Sequence, residues 1–264
     1  MVNIFVSGAN GEVGSALTKN LKTKYTVITD PYQIKDCQIF IHCLSRHPVH
    51  NDAANLFSNI TYSKKLINEF TQCASKRILI NMSSVSLYDK NIEKKTIIYE
   101  DSRLTIDNIY QLTKIYMEDY VKTLGIDYVT LRLPGVLEKN NSRSLLPRIA
   151  NKLYSNDPII VNENPNFNYF VSTDTISLYC NFIISNFLNE AMSFRLIKNC
   201  CQKGCFNLQE ILAEMKMYLG SKSKITVLPI ESSNFIASKE VEFTDVILSP
   251  EEIVHDWFKE KFNR

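Results

Sequence analysis

Residues 3–17 have the sequence NIFVSGANGEVGSAL, and this stretch decides the expected fold. A short apolar run ends in Gly8, Gly11 and Gly14, spaced three apart, and a helical pattern follows. Gly8 would permit a tight turn after the first strand, Gly11 a close approach of phosphates, and Gly14 close packing of the helix on the sheet. The amides and positive dipole end of that helix would face a diphosphate. The stretch predicts a dinucleotide site, with an ordinary glycine-rich turn as the alternative.

The composition limits the class of protein. The 264 residues are 45% hydrophobic and carry a formal net charge of +2. Such a chain can bury a sizeable core, as one large α/β domain or a domain with a small appendage. The balanced charge gives no reason to expect nucleic acid or an anionic membrane as a partner. Without a secretory pattern or an apolar run of roughly twenty residues, no membrane segment is expected, and the predicted location is cytoplasmic.

The seven cysteines show no zinc-like spacing, so no metal site is expected. Cys200, Cys201 and Cys205 lie close together, but without a histidine or a second pair at metal spacing. Reduced thiols are therefore expected. Cys37 and Cys43 fall in a predicted buried strand, where cysteine acts as a small hydrophobe, so neither is expected to be a nucleophile.

Strands and helices alternate along the first half of the chain. Strands are predicted at residues 25–29, 36–44, 77–82 and 127–133, after the first one, and helices at 13–22, 53–74 and 110–124. The connection between the second and third strands is too short for a usual crossover helix. Because the strands are apolar on both faces, the expected class is α/β, with a Rossmann-type doubly wound parallel sheet.

The pattern is less regular after Pro134. Helices are predicted near residues 145–154, from about 174, at 208–218 and at 250–262, with a short strand at 158–161. We expect residues 1–136 to form the dinucleotide-binding core. Residues 137–264 are expected to form mainly a small C-terminal substrate-binding cap, with some segments returning to the core.

Tyr110 and Lys114 form a chemically useful pair. They are four residues apart in a predicted helix and therefore share one helix face. An ammonium beside a phenol favours the phenolate, which makes the tyrosine more useful as an acid or base. The same ammonium could bind the ribose of a nicotinamide cofactor while the phenol exchanges a proton with a substrate. A chance pair in a chain with 13 tyrosines is the structural alternative.

Hydroxyl groups follow the predicted strand 77–82. The segment SSVS, residues 83–86, comes directly after it. The carboxyl end of a central strand is where open α/β sheets bind ligands. A serine there can donate a hydrogen bond to a substrate oxygen that Tyr110 protonates. The alternative is a serine-rich loop that caps a helix.

Several motifs follow one another in order along nearly the whole chain. They are Gly8-x-x-Gly11-x-x-Gly14, the strand 36–44, Asn59, Ser83-Ser84 shortly before Tyr88, Tyr110-x-x-x-Lys114, LRLPGV at residues 131–136 and FVSTD at residues 170–174. In this order they resemble the extended short-chain dehydrogenase/reductase family, the NAD-dependent epimerase/dehydratase group that acts largely on nucleotide sugars. The last motif resembles one that opens a helix in the family's substrate half.

The resemblance implies roles for individual residues. Ser84 corresponds to the catalytic hydroxyl, Tyr110 to the proton donor, and Lys114 to its activator and ribose anchor. Asn59 corresponds to the supporting hydrogen-bond set, with a packing role as the alternative. The residues expected to bind the cofactor are Gly8, Asn10, Gly11, Glu12, Val13, Gly14, Asp30, Leu44, Ser45, Lys114 and Pro134.

Asp30 bears on the choice between NAD and NADP. At the end of the second predicted strand, a carboxylate can accept hydrogen bonds from both adenosine ribose hydroxyls and repel a 2′-phosphate. As alternatives, Asp30 could cap a turn before Pro31, and Lys22, Lys24 or Lys35 could reach a phosphate. The expected cofactor is NAD(P), with NAD(H) preferred. The short connection to the next strand departs from the family and removes much of the usual wall on the adenine side.

The residues after Ser84 narrow the reaction. Family dehydratases carry an Asp-Glu pair there, because elimination of water needs a further acid and base, whereas this chain has Val85 and Ser86. The resemblance therefore implies reduction of a keto-sugar carbonyl by hydride from the nicotinamide and a proton from Tyr110. A nucleotide-sugar 4-epimerase with retained NAD is the alternative. A catalytically silent dinucleotide-binding regulator is a third possibility.

The expected partner is a small molecule, a nucleotide sugar. Many family members have an arginine that grips the diphosphate two residues before the equivalent of Phe170, where this chain has Asn168. Arg143 or Arg148 could substitute by bidentate contact, with a solvated helix arginine as the alternative. The resemblance is also compatible with a homodimer, formed through the helix with Tyr110 and the long helix before it.

Overall fold

The computed structural model of the chain describes residues 2–46, 53–72, 76–89, 97–138, 144–201, 204–229, 235–237 and 249–262. The chain divides into two compact units. The first contains Met1–Asp89, Arg103–Leu133 and Thr173–Cys200, and the second contains Lys90–Ser102, Pro134–Ser172 and Cys201–Arg264. Each unit is therefore assembled from separate segments of the sequence.

Strands and helices occur in both units. The strands are β1 (Asn3–Ser7), β2 (Thr26–Ile28), β3 (Ile39–His42), β4 (Ile78–Ser84), β5 (Ile97–Ile98), β6 (Asp127–Leu133), β7 (Gly135–Leu137), β8 (Ile159–Asn162), β9 (Phe170–Ser172), β10 (Arg195–Asn199), β11 (Ile225–Leu228) and β12 (Phe235–Ile236). The helices are α1 (Glu12–Leu21), α2 (Ala53–Leu56), α3 (Ser63–Thr71), α4 (Ile109–Lys122), α5 (Leu145–Ser155), α6 (Thr173–Leu188), α7 (Leu208–Leu219) and α8 (Pro250–Phe262). Short 3-10 helices cover Pro31–Asp36 and Val85–Leu87, and a π-helical turn covers Phe57–Tyr62.

A six-stranded parallel sheet forms the centre of the first unit. Its strand order is β10-β6-β4-β3-β1-β2. The chain passes from β1 to β2 on one side and then returns to β3 on the other side of β1. The carboxyl ends of β1 and β3 therefore form the switch point at which open α/β sheets bind ligands. This is the Rossmann-type doubly wound sheet that the sequence predicts.

One face of this sheet changes in chemistry along the strands. Side chains of a strand alternate between the two faces, so residues two apart share a face. An apolar row packs against α3 and α4, and it contains Phe5, Phe40, Leu79 and Tyr128. Two residues further along the same strands is a polar row that contains Ser7, His42, Asn81 and Thr130. The face therefore becomes polar toward the carboxyl ends, where ligands bind in such sheets.

The long helix predicted at residues 53–74 is interrupted in the structure. The π-helical turn Phe57–Tyr62 separates α2 from α3, and residues 73–74 lie outside the described residues. The hydroxyl of Ser63 donates to the carbonyl oxygen of Ser58, five residues earlier, at 3.0 Å. The connection between β2 and β3 is the 3-10 helix Pro31–Asp36, in agreement with its predicted lack of a crossover helix.

The helix that follows the FVSTD motif belongs to the first unit. This helix, α6, contacts α1 through Asn20, whose side-chain amide donates to Oδ1 of Asp174 at 3.2 Å and to Oγ of Ser177 at 3.0 Å. The strand after it, β10, was not predicted from the sequence and extends the sheet beside β6. The sequence Arg195–Asn199 mixes charged and apolar residues, and β10 is the edge strand of the sheet.

The second unit contains small sheets and a separate apolar core. The parallel strand pairs are β5 with β12, β7 with β9, and β8 with β11. Apolar residues of α5, α7 and α8 pack together with aromatic side chains, among them Phe167, Phe170, Phe206 and Trp257. Substrate binding by this part of the chain stays a prediction.

Within the described residues, no helix combines the length and apolar character that a membrane crossing requires. The same residues contain no group of three or more His, Cys, Asp or Glu side chains arranged to hold a metal ion.

Replacing Gly14 with alanine should destabilise the first unit. A Cβ at this position would lie 2.7 Å from the carbonyl carbon of Gly8 and would overlap the carbonyl oxygen. Because both groups are backbone, α1 would have to move away from the turn after β1. We expect the free energy of unfolding to fall by about 3 kcal/mol, the upper end of the usual cost of overpacking. Urea unfolding of the full chain measures this change.

Gly125→Ala is the matched control. Gly125 lies between α4 and β6, and no described atom lies within 4 Å of a Cβ placed on it. The free energy of unfolding should change there by no more than about 0.5 kcal/mol. Equal stabilities of the two variants would show that α1 does not depend on the missing Cβ of Gly14.

Candidate active site

Gly8 lies at the switch point of the sheet, directly after β1. Its φ angle is +68°, a left-handed conformation that favours glycine. A Cβ on Gly8 would lie 2.9 Å from the backbone of both Cys43 and Leu44. The turn after β1 and the loop after β3 therefore approach each other through their backbones, as the first glycine of the predicted dinucleotide motif requires.

The N-terminus of α1 follows this turn. Gly11 is its N-cap and donates its N–H to the carbonyl oxygen of Gly8 at 2.9 Å. A glycine has no side chain with which to cap the amides of the first helical turn, which lack partners within the helix. Asn10 and Gly11 are exposed, and Glu12 and Val13 are half-buried. A diphosphate fits this helix end, because the amides and the helix dipole both favour an anion.

The loop after β3 is held beside the glycine turn. The N–H of Leu44 donates to Oγ of Ser7 at 3.3 Å. The Asn59 side chain binds both backbone groups of Arg46, accepting from its N–H at 2.7 Å and donating to its oxygen at 3.0 Å. The Oγ atom of Ser45 is buried and has no hydrogen-bond partner among the described residues. Such an orphaned hydroxyl fits a site at which a cofactor supplies the partner.

Asp30 acts as a cap in the structure. Its Oδ1 atom accepts a hydrogen bond from the N–H of Tyr32 at 3.0 Å and so caps the 3-10 helix Pro31–Asp36. This is the structural alternative that the sequence left open. The Asp30 side chain is exposed just beyond the carboxyl end of β2, so the cap does not remove it from solvent.

The serine turn, defined as residues 83–88, ends β4 and continues through a short 3-10 helix. Oγ of Ser84 accepts the N–H of Ser86 at 3.1 Å, and the Ser84 hydroxyl donates to Oγ of Ser86 at 2.9 Å. Ser84 therefore caps the helix Val85–Leu87, while it remains partly exposed. Ser84 thus caps the short helix and is also the last residue of β4.

Helix α4 places Tyr110 beside Lys114. Oδ1 of Asn108 accepts the N–H of Gln111 at 2.9 Å, and the Gln111 side-chain oxygen accepts the N–H of Asp107 at 2.6 Å. These reciprocal hydrogen bonds fix the first turn of the helix. The Nζ atom of Lys114 lies 5.7 Å from the centre of the Tyr110 ring. The ammonium is thus close to the phenol, as the spacing of the two residues predicts.

Three polar side chains on one face of α4 bind the end of β4 and the serine turn. Nε2 of Gln111 donates to the backbone oxygen of Ser86 at 2.6 Å, and Nζ of Lys114 donates to the backbone oxygen of Met82 at 2.8 Å. Oε1 of Glu118 accepts a hydrogen bond from the Ser83 hydroxyl. Residues three and four apart share a helix face, which explains why all three reach the same segment. The helix that carries Tyr110 is therefore fixed against the strand end that carries Ser84.

His42 lies in the polar row of the sheet close to Lys114. Its Nδ1 atom lies 3.0 Å from Oδ1 of Asn81, and its Nε2 atom lies 2.9 Å from Oγ of Ser63. Burial lowers the pKa of His42 to about 4; the hydrogen bond with Asn81 opposes this, and the charge of Lys114 adds to it. The imidazole is therefore neutral at physiological pH.

The two cysteines near β3 have unreactive thiols. Burial raises the pKa of Cys37 to about 11 and the pKa of Cys43 to about 12. Both thiols stay protonated at neutral pH, and a thiol is a much weaker nucleophile than a thiolate. This agrees with the expectation that neither residue is a nucleophile.

The residues weighed for substrate binding lie in the second unit. Asn168 is buried, and its side chain donates to the oxygen of Ile236 at 2.6 Å and accepts the N–H of Ile236 at 3.1 Å. Its amide is therefore bound to the backbone of this chain. Arg148 is exposed on α5, and Arg143 lies outside the described residues. Pro134, expected near the cofactor, is the first residue after β6 and belongs to the second unit.

Sequence reasoning missed three residues at this end of the sheet, namely Gln111, Glu118 and Arg132. The spacing Asn108-x-x-Gln111 signals a reciprocal helix cap. Glu118 extends the four-residue spacing of Tyr110 and Lys114 by a further step. Arg132 stands between leucines in a buried strand, where an arginine needs a charged partner.

A model of the NAD dependent epimerase/dehydratase family matches residues 30–180. No curated protein matches by sequence.

Solved structures with low sequence identity share the whole fold. UDP-glucuronic acid 4-epimerase from Bacillus cereus, in complex with UDP-glucuronic acid and NAD, is 15% identical with a TM-score of 0.76, and the match covers 98% of this chain and 99% of that one. A dTDP-4-dehydrorhamnose reductase from Clostridium acetobutylicum is 18% identical with a TM-score of 0.73, over 99% of each chain. RMD from Pseudomonas aeruginosa, complexed with NADPH, is 14% identical with a TM-score of 0.78, over 100% of each chain.

His42 should make the stability of the protein depend on pH. In the unfolded chain its imidazole takes up a proton near pH 6.5, but in the folded chain only near pH 4. Between these values the unfolded state binds more protons, so the free energy of unfolding falls as the pH is lowered. At about 1.4 kcal/mol per pH unit, the loss from His42 between pH 7 and pH 5 is about 2 kcal/mol. Urea unfolding at both pH values measures it.

A variant without the imidazole isolates this contribution from other titrating groups. In His42→Gln, the loss of stability between pH 7 and pH 5 should be about 2 kcal/mol smaller than in the wild type. The wild type is the reference for this comparison. An unchanged pH dependence in His42→Gln would rule out His42 as the source.

Proposed function

This chain belongs to the NAD-dependent epimerase/dehydratase family of enzymes, and we propose that it reduces a keto-sugar carbonyl of a nucleotide sugar with NAD(P)H. One observation carries the proposal: the ammonium of Lys114 contacts both the Tyr110 ring and the carboxyl end of β4, two residues before Ser84. A proton donor, a cation and a hydroxyl are the groups that carbonyl reduction needs. The fold is shared with a nucleotide-sugar epimerase and a nucleotide-sugar reductase.

The cofactor contacts proposed here begin at the glycine turn. Gly8, Gly11 and Gly14, with the amides at Asn10, Glu12 and Val13, would hold the diphosphate at the N-terminus of α1. The buried hydroxyl of Ser45 and the adjacent Leu44 would line the cofactor beyond the end of β3. Pro134 stays among the expected cofactor residues. Solved structures with this fold were obtained with NAD or with NADPH.

Lys114 is suited to two tasks at once. An ammonium has three N–H donors, and one of them is used for the oxygen of Met82. The others can bind the ribose hydroxyls of the nicotinamide nucleotide. The positive charge also stabilises the phenolate that Tyr110 becomes after it has given up its proton.

The reaction transfers two groups to the substrate carbonyl. When bound, the reduced nicotinamide supplies a hydride to the carbonyl carbon. Tyr110 donates its phenolic proton to the carbonyl oxygen, which becomes the hydroxyl of the product, and the phenolate regains a proton from solvent. The Ser84 hydroxyl turns from Oγ of Ser86 to donate a hydrogen bond to the carbonyl oxygen, where negative charge develops.

A 4-epimerase is the second candidate, because structures with this fold include a UDP-glucuronic acid 4-epimerase. An epimerase oxidises its substrate and re-reduces it from the other face, so it retains NAD and consumes no reduced cofactor. A dehydratase is disfavoured because Val85 and Ser86 supply neither the acid nor the base that elimination needs. A silent regulator would not require the three polar groups to be kept together.

Replacing Tyr110 with phenylalanine should abolish reduction without loss of cofactor binding. The aromatic ring and its packing remain, but the proton donor is gone, so kcat should fall at least about 100-fold. NADH or NADPH oxidation with dTDP-4-dehydrorhamnose and other 4-keto nucleotide sugars measures turnover, and calorimetric titration with the reduced cofactors measures binding.

Tyr116→Phe is the matched control, since Tyr116 is exposed on the same helix and contacts Lys64. Its kcat should equal that of the wild type. Full activity of Tyr110→Phe would eliminate Tyr110 as the proton donor. Interconversion of UDP-glucose epimers by the wild type without NADH consumption would favour the epimerase.

Asp30→Asn should weaken the preference for NAD(H). Asparagine keeps a side-chain oxygen that can cap the helix Pro31–Asp36, but it lacks the charge that would repel a 2′-phosphate. The ratio of the NADPH and NADH dissociation constants should fall about tenfold, which corresponds to about 1.4 kcal/mol. Asp36→Asn, at the other end of the same helix, should leave the ratio unchanged, and an equal change in both variants would contradict a specific role of Asp30.

A further inference from the structure

A group of polar side chains is buried beneath the serine turn of the first unit. It joins the end of β4, helix α4, the end of β6 and strand β10. Its members are Ser83, Tyr88, Glu118, Arg132 and Asn199, none of which is more than 4% exposed. None of them has a place in the reaction described above.

An ion pair lies at the centre of this group. Arg132 donates from Nε to Oε1 of Glu118 at 3.0 Å and from Nη2 to Oε2 at 2.7 Å. This is the bidentate geometry in which guanidinium and carboxylate bind most strongly. Burial disfavours the charge of Arg132, but the hydrogen bonds and charge of Glu118 outweigh it and hold the pKa of the guanidinium above its usual value.

The ion pair holds both ends of the serine turn. At the first end, the hydroxyl of Ser83 donates to Glu118. At the last end, Nη1 of Arg132 donates to Oη of Tyr88 at 2.9 Å, and Tyr88 donates to Oδ1 of Asn199 at 2.6 Å. The Arg132 guanidinium also lies 5.0 Å from the centre of the Tyr88 ring. Ser84 lies between these two fixed points.

Glu118 also connects the turn to the helix that carries the other proposed catalytic groups. It lies four residues after Lys114 and eight after Tyr110 on α4. We propose that Glu118 and Arg132 are positioning residues, which set the place of the Ser84 hydroxyl relative to Tyr110 and Lys114. The inference rests on the proposed function, since it assigns these residues to the same reaction.

The chemistry of the pair favours a geometric role over one in stability. A buried ion pair loses hydration energy, and well-packed apolar side chains often stabilise a core as well or better. What apolar side chains do not supply is a set of directed hydrogen bonds. Displacement of a reacting group by about 1 Å can lower a rate about 100-fold, so fixed contacts at both ends of the turn affect the reaction directly.

Three variants test the inference by weakening the group at separate points. Ser83→Ala removes the contact at the first end of the turn, Tyr88→Phe removes the one at the last end, and Arg132→Lys keeps the charge but loses the bidentate geometry. Arg77→Lys is the matched control. Arg77 is as deeply buried as Arg132 and binds the backbone oxygens of Phe70 and Lys35, but it lies just before β4, at the opposite end of that strand.

Hydrogen exchange followed by mass spectrometry provides a readout without substrate. Amides of the serine turn should exchange about tenfold faster or more in the three test variants, because the ends of the turn are released. In Arg77→Lys the amides of the serine turn should exchange as in the wild type, even if the melting temperature of this variant falls as much as those of the three test variants. Turn amides that exchange at the wild-type rate in folded Ser83→Ala and Tyr88→Phe would overturn the inference.

Steady-state kinetics complete the test, with a keto nucleotide sugar that the wild type reduces as the substrate. The test variants should show kcat lowered about tenfold, with KM and the NADH dissociation constant within about twofold of the wild type. An equal loss of kcat in Arg77→Lys would mean that general destabilisation is the cause and would overturn the inference. Absence of turnover in the wild type would instead overturn the proposed function and the catalytic part of this inference. In that case the exchange rates still show whether the buried polar group fixes the serine turn.

Discussion

The contact between the polar face of α4 and the carboxyl end of β4 is the interaction on which the candidate site depends. Helix α4 carries Tyr110 and Lys114, and β4 leads into Ser84. Neither element alone brings these groups together. Side chains of α4 donate hydrogen bonds to backbone oxygens of β4 and of the serine turn. Every residue has a backbone oxygen, so these contacts require particular side chains only on α4.

The class of fold could be predicted because its signals are local. The glycine spacing after β1, the apolar strands and the alternation with helices are all visible over a few residues, and they indicated a doubly wound parallel sheet. The strand β10 could not be found in this way, since an edge strand with charged residues has no distinctive pattern. Its place beside β6 depends on pairing between residues more than sixty positions apart.

The positions of the candidate groups could be expected from the sequence, but the contacts that support them could not. Helix spacing predicts that Lys114 lies beside Tyr110, and the family resemblance selects Ser84 among the serines that follow the strand. Glu118 on α4 and Arg132 on β6 are 14 residues apart in sequence, and only the packing of these two elements makes them partners. Asn168 is another case in which only part of the answer is visible in the sequence. The sequence shows an asparagine where many family members have an arginine, whereas only the structure shows that its side-chain amide binds the backbone of Ile236.

The π-helical turn Phe57–Tyr62 makes chain length a sensitive property of its region. Such a turn holds one residue more than an α-helical turn of the same height, and each residue of a helix advances it by about 100°. Deletion of a single residue there would therefore rotate Asn59 away from the backbone of Arg46, even if all other side chains stayed the same. Insertions and deletions in this segment are therefore expected to be tolerated less well than substitutions at positions other than Asn59.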